Sequence, residues 1–302
     1  MLSTAIRVSV GMPAYNAEQW IGSAIESILG QSLSELELII SDNGSTDRTV
    51  AVCERYVASD DRVRLIRNER NLGAAANYNR TFREATAPLF KWASANDLCH
   101  PEFLSACVRV LDERPDVVLV YPSTVIFSDD PEQGELYREG IDLDDDDPVR
   151  RFLRFYGGVG LNNAMNGVIR AAALKRVPLH KPYLGSDLVT TAALTLHGKF
   201  VKLPEPYFYR RMNAASATKL RGEEATLAHF DPDGSRLMVF QLWRKQYEYL
   251  GAALRGPQPA LRRARLVLNL LRRMLRIRQQ LWSDLTESTR RLAARRRKRA
   301  LE

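Results

Sequence analysis

Over its first 120 residues the chain alternates short β-branched runs with segments of helical period, and this pattern narrows the possible folds more than any other feature. Residues 6–11 (IRVSVG) and 36–41 (LELIIS) are strand-like, and between them Trp20, Ile21, Ala24, Ile25 and Ile28 recur at helical spacing over 17–30. A second helix is predicted at about 47–58 with Ser45 or Thr46 as its cap, and it leads to a strand at 63–66. Helix 74–85, strand 89–93 (LFKWA), helix 101–113 opened by His100-Pro101, and strand 117–121 (VVLVY) continue the series. Strands separated by helices of this length predict an α/β fold with a parallel, right-handed, doubly wound sheet. In such sheets ligands bind outside the carboxyl ends of the strands, so the loops at those ends should carry the chemistry.

Beyond residue 121 the pattern loosens. An acidic run, DLDDDD at 142–147, precedes Pro148 and a short helix ending at Gly157-Gly158. A mobile, solvated loop is expected there, because adjacent carboxylates repel and diverge and do not form a metal cage. Strand-like 165–169, a helix at about 185–197 and strand 200–203, closed by Pro204 and Pro206, follow. Residues 223–302 read as helical throughout, broken near Gly256-Pro257.

The net charge of +8 is unevenly placed: residues 261–302 hold 14 basic side chains against Asp284, Glu287 and Glu302, leaving the rest of the chain at −3. The larger part therefore lacks a nucleic-acid footprint, and the terminal RRRKRA has no interleaved aromatics to stack on bases. Along 261–285, Val267, Leu270, Leu271, Met274, Ile277, Leu281 and Leu285 repeat every three or four residues with arginines on the other face. Three uses of this amphipathic helix stand open: an anionic membrane surface, packing on the main domain, and an oligomer interface. Cys53, Cys99 and Cys107 form no paired motif, the first residues lack a signal-peptide pattern, and no apolar run reaches eighteen residues. A cytoplasmic location is expected, with the basic helix able to rest on the inner face of the cell membrane.

The loop after the first strand reads PAYN at 13–16, directly before a helix whose N-terminal amides suit an anionic ligand. The loop after the second reads SDNGSTDRT at 41–49, with Asp42 at the strand tip and Gly44 expected at positive φ. ERNLGAAANYN at 69–79 and WASANDLCHPEFL at 92–104 follow in order. Together these segments resemble the family two glycosyltransferases of the GT-A fold, strongly over 7–110 and more weakly over 111–216. The resemblance implies a Rossmann-like, mostly parallel nucleotide-sugar-binding domain over 1–222, with a nucleotide half to about 115 and an acceptor half from 116. A basic helical extension would occupy 223–302.

The resemblance also implies roles. Pro13, Tyr15, Asn16 and Glu18 would shape the nucleotide pocket, Asp42 would hold the base or ribose, and Asn71, Gly73 and Asn77 would lie beneath the sugar nucleotide. For Asn77 a helix-packing amide is an equal reading. The family's paired-aspartate metal motif appears here as Ser94-Ala95-Asn96-Asp97, reduced to one carboxylate. Asp97 with the Asn96 carbonyl and two phosphate oxygens would hold Mn²⁺ or Mg²⁺, the alternative being a structural Asp97. Asp187, behind Gly185-Ser186, would be the general base of an inverting transfer, or else a first-turn carboxylate facing the helix dipole. Arg211 or Arg210 would close over the diphosphate from a flexible segment. Trp92 is expected in the core. The implied donor is a UDP-, GDP- or dTDP-sugar, and the implied acceptor a saccharide or lipid-linked saccharide of a surface glycan. A catalytically silent sugar-nucleotide scaffold is the competing reading. A nucleotidyltransferase would need a Gly-rich loop where PAYN stands.

Overall fold

The structure is a computed structural model that describes residues 5–212 and 239–299. β1 (Val8–Ala14) and β2 (Leu36–Asp42) are buried at every position. Successive residues face opposite sides of a strand, so both faces of the sheet are covered here. α1 (Ile21–Leu29) buries Ile21, Ala24, Ile25 and Ile28, the stripe its spacing predicts. α2 (Thr49–Ser59), β3 (Val63–Arg67), α3 (Ala74–Arg83) and β4 (Leu89–Trp92) complete the nucleotide-side unit. Neither Ser45 nor Thr46 caps α2. Asp47 accepts the Thr49 N–H at 2.9 Å, while Ser45 and Thr46 bond to Asn16.

β5 (Leu98–Cys99), α4 (Phe103–Glu113), β6 (Val117–Phe127), β7 (Glu135–Tyr137), α5 (Pro148–Gly158), β8 (Val168–Arg170), α6 (Ala171–Leu174), α7 (Ser186–Leu194) and β9 (Lys199–Arg211) follow. Strand order is β3-β2-β1-β4-β8-β6-β9-β5, with β7 paired to β6. The first four strands are parallel, as expected, but the doubly wound pattern stops there. β8 lies antiparallel to both β4 and β6, and β5 antiparallel to β9, while β6 and β9 are parallel. After α5, the 3₁₀ turn Asn163–Asn166 packs against β6 immediately before β8, and β8 enters the sheet antiparallel to both neighbours.

β9 continues through Pro204 and Pro206, where the sequence suggested an end. Between the pairs Pro122–Leu203 and Thr124–Phe208 the register shifts, so residues 204–207 stand opposite Ser123 alone. Proline is tolerated in such a bulge because no ladder donor is required of it.

The acidic run is pinned, in contrast to the mobile loop expected from its charge. Asp144 pairs with Arg114 at 2.6 Å, Asp146 with Lys199 at 2.6 Å, and Asp147 with Arg265 at 2.9 Å while accepting the Val149 N–H at the start of α5. Leu143 is fully buried and bridges Phe200. Cations contributed from distant parts of the chain neutralise the repulsion that a local reading of DLDDDD emphasises.

Among the described residues the C-terminal region forms α8 (Gln241–Arg255), α9 (Ala260–Arg276) and α10 (Arg278–Arg299). Tyr249, Ala252, Ala253, Leu266 and Leu270 belong to one apolar core with Phe152, Phe155, Val189 and Phe200. A second core fills the nucleotide side around Val10, Ile25, Leu38 and Phe103. The amphipathic stripe is therefore divided: Leu270 and Leu281 are buried, whereas Leu271 is exposed. No helix among the described residues is long and apolar enough to cross a membrane.

Candidate functional site

The carboxyl ends of β1 and β2 are laced together. Asn16, held at φ +46°, donates its N–H to Ser45 Oγ at 2.9 Å and accepts the Thr46 N–H on Oδ1 at 2.9 Å. The Ala17 N–H reaches Thr49 Oγ1, and Glu18 donates its N–H to Asp47 while its carboxylate accepts the Arg48 N–H at 2.9 Å. Asn16 and Glu18 thus fix the second loop. Pro13 is buried within β1, and Tyr15 at the loop tip is exposed. Gly44, at φ +72°, has backbone of Arg70 within 2.8 Å of where a Cβ would stand, so both conformation and space demand glycine.

Asp42 closes this turn, its Oδ2 accepting the N–H groups of Gly44 and Ser45 at 3.1 Å each. Oδ1 is buried and has no partner. An unsatisfied buried carboxylate oxygen is costly unless something outside the folded chain completes it.

Asn71 accepts from Asn43 Nδ2 at 2.7 Å and from the Gly73 N–H at 2.9 Å, and Gly73 opens α3 at φ +84°. Asn77 uses its entire amide on protein: Oδ1 accepts from Ser41 Oγ at 2.6 Å and Asn68 Nδ2 at 3.2 Å, and Nδ2 donates to the Ser41 and Ala14 carbonyls. Of the two readings, this geometry matches the packing amide.

In the segment after β4, Asp97 is 8% exposed, and its Oδ1 accepts the Arg211 N–H at 2.8 Å. Burial pushes its carboxyl above the usual carboxylate range, against the Arg211 amide, Arg210, a Ser94 hydroxyl bond and Lys91. Arg211 is not on a flexible segment. It ends β9, stacks its guanidinium 3.9 Å from the Trp20 ring and 4.4 Å from Phe127, and donates to the carbonyls of Asn96, Ser128 and Asp129. The neighbouring Arg210 donates to Asn163 Oδ1 at 2.6 Å.

The described residues around Asp97 fit a divalent cation that arrives already bound to a diphosphate, not a free ion. No group of three or more metal-binding side chains occurs among the described residues. One carboxylate, already accepting an N–H, and a carbonyl supply too few oxygens for a free Mg²⁺ or Mn²⁺, but they suffice for an ion that arrives on a diphosphate.

Asp187 sits in the first turn of α7, after Gly185 at φ +83°. Its Oδ2 accepts from Asn162 Nδ2 at 3.0 Å, and the same amide reaches Thr191 Oγ1 at 3.1 Å. Burial depresses the Lys245 ammonium while Asp187 opposes the shift. His180, its ring tilted against Trp92 with centroids 4.8 Å apart, is pushed down to about 4 by burial, again with Asp187 opposing. Asn162 Oδ1 and His180 Nε2 are buried without partners. The sequence reading missed Asn43, Asn162, His180 and Lys91. Only Lys91 left a signal, as a cation inside the apolar run LFKW. It is fully buried, donates to the Asn166 carbonyl at 2.5 Å and lies 4.3 Å from the Phe103 ring. Burial raises the thiol of Cys53 to about 12 and lifts Cys99 and Cys107 as well, which disfavours their reactive thiolate forms.

A family model described as glycosyl transferase family 2 matches residues 9–177, more than half of the chain. The chain belongs to this family. Among curated relatives it is 33% identical over 129 residues to the putative glycosyltransferase EpsE of Bacillus subtilis, covering 42% of this chain and 46% of that protein. It is also 33% identical over 114 residues to chondroitin synthase of Escherichia coli, covering 38% of this chain and 16% of that one. The chain thus spans less than half the length of these relatives. Among solved structures, S. aureus TarS 1–349 in complex with UDP-GlcNAc superposes with TM-score 0.66 at 16% identity, covering 89% of this chain and 72% of that one. The mannosyltransferase PcManGT of Pyrobaculum calidifontis, in complex with GDP-Man and Mn²⁺, gives 0.51 at 15% identity, covering 95% and 87%. The fold is of the GT-A type, with helices following the sheet domain.

Proposed function

We propose that this protein is an inverting glycosyltransferase that moves a sugar from a nucleoside-diphosphate donor to a hydroxyl of a surface polysaccharide or glycolipid. One observation carries the reading: in a family 2 chain, the partnerless Oδ1 of Asp42 stands where the second strand ends. A ribose hydroxyl or base N–H would complete it. Pro13, Tyr15, Asn71, Gly73 and the Asn96 carbonyl would line the donor pocket, while Asn16, Glu18 and Asn77 hold its loops. Arg210, beside Asp97, is better placed than the stacked Arg211 to meet the diphosphate. A divalent cation bound with that diphosphate would offset the charge that builds on the leaving group.

Asp187 would take the proton from the acceptor hydroxyl as its oxygen attacks the anomeric carbon and the C–O bond to the diphosphate breaks. Asn162 positions the carboxylate through Oδ2 and leaves the other oxygen for the acceptor. Relatives that bind UDP-GlcNAc or GDP-Man support a sugar-nucleotide donor. The single, protein-bonded carboxylate at 94–97 favours the scaffold as second reading.

Calorimetric titration with UDP, GDP and dTDP, each with Mn²⁺ and with chelator, tests both readings. Binding of one nucleotide, strengthened by metal, together with sugar transfer to an acceptor supports the enzyme. Binding without turnover moves the assignment to the scaffold, and no binding to any nucleotide removes both.

A further inference from the structure

α9 carries a second apolar face that is distinct from the one it buries. Leu266 and Leu270 enter the core, yet Leu261 is 83% exposed, Leu275 65%, and Leu268 and Leu271 nearly half exposed. At about 100° per residue, Leu261, Ala264, Leu268, Leu271 and Leu275 fall within roughly 80° of the helix circumference. Trp282, 66% exposed, follows early in α10. A row of arginines borders this stripe. α9 holds Arg262, Arg263, Arg265, Arg272, Arg273 and Arg276 and no acidic residue. Arg265 is paired with Asp147, and Arg262, Arg272 and Arg276 have no carboxylate partner among the described residues.

Spacings of three and four also suit helix pairing between two copies, but charge decides against it. An antiparallel pair meeting on this face would bring the arginine rows together, and a parallel pair would lay each row along the partner's apolar flank, with no acid on either α9 to pair with it. Anionic lipid supplies the missing charge at the depth where leucines and a tryptophan leave water.

We propose that the Leu261–Leu268–Leu271–Leu275 face of α9, with Trp282, lies in the interface of an anionic membrane, its arginine row on the lipid headgroups. The proposal deepens the reading of a membrane-borne acceptor, but its test needs no turnover. The buried face of α9 stays on the domain, so docking requires no unfolding of the helix.

The experiment is co-sedimentation of the full chain with vesicles of phosphatidylcholine alone and with about one third phosphatidylglycerol. Binding to the anionic vesicles that falls as salt is raised is the expected result. Arg272→Gln and Arg276→Gln should each weaken it about fivefold, from about 1 kcal/mol per basic residue near the surface. Leu268→Ser with Leu275→Ser should weaken it at least about tenfold, with only a small drop in melting temperature because Leu275 is exposed and Leu268 already half exposed. Protein left in the supernatant with anionic vesicles, or equal binding to neutral ones, overturns the proposal. So does light scattering that shows a dimer dispersed by the same leucine changes, which would assign the stripe to a second copy. Loss of sugar transfer with vesicle binding intact would sink the catalytic reading and leave this one standing.

Discussion

Asp42→Asn separates recognition of the donor from folding of its pocket. In the native turn Oδ2 accepts two N–H groups at 3.1 Å and Oδ1 accepts none. An asparagine keeps the turn only by placing its carbonyl oxygen where Oδ2 stood, which forces its NH₂ into the Oδ1 position. A donor then faces the donor group of the nucleotide. A hydrogen bond to a charged acceptor contributes about 1.5–3 kcal/mol, so the affinity for nucleoside diphosphate should fall roughly tenfold to 150-fold. Stability should barely change, since one unpartnered buried polar group replaces another. Calorimetry against wild type, with a thermal melt alongside, checks both halves. An affinity within threefold of wild type in a protein of unchanged melting temperature would refute the assignment of Oδ1 to the ligand.

Asp187→Asn should abolish sugar transfer while donor affinity, measured by calorimetry, stays within about threefold, because the Asn162 contact survives in amide form. Asn77→Ala removes four hydrogen bonds, three joining α3 to β1 and β2 and one to Asn68 after β3, and should lower stability by about 2–4 kcal/mol in urea unfolding. His180 binds its proton less readily folded than unfolded, with a folded value of about 4 against an ordinary 6.5. Its contribution to stability is therefore complete above pH 6.5 and is lost as pH falls towards 4, by up to about 1.4 kcal/mol per pH unit. His180→Gln should flatten that part of the stability–pH curve, and an unchanged slope would show that His180 is not the group responsible.

The sequence reveals the nucleotide side because its information there is local. Ile21, Ala24, Ile25 and Ile28 mark one face of one helix, and Gly44 announces a positive φ that only its type adopts readily. The second half is harder to read because its cues are distant. The reversal at β8 depends on how the turn at Asn163–Asn166 packs against β6, and β9 outlasts two prolines only because a bulge opposes them to Ser123. At the site, Asp42, Asp97 and Asp187 were named from motif context, but their orientation was not legible. That Asp97 bonds to Arg211, and that Asp187 is held by Asn162, are pairings across 114 and 25 residues. His180 gave no signal at all, since its burial follows from the packing of Trp92 and Tyr78.

Arg211 bears on how this chain can change over generations. The shape of the loop at 94–97 is set from outside it, by a guanidinium clamped between Trp20 and Phe127 and by an amide on Asp97. Acidic side chains at 94–96 are then unnecessary for the loop to fold. A lineage can drift through serine, alanine and asparagine there while inheriting the same loop. Substitution of Arg211 itself is the change such drift cannot absorb.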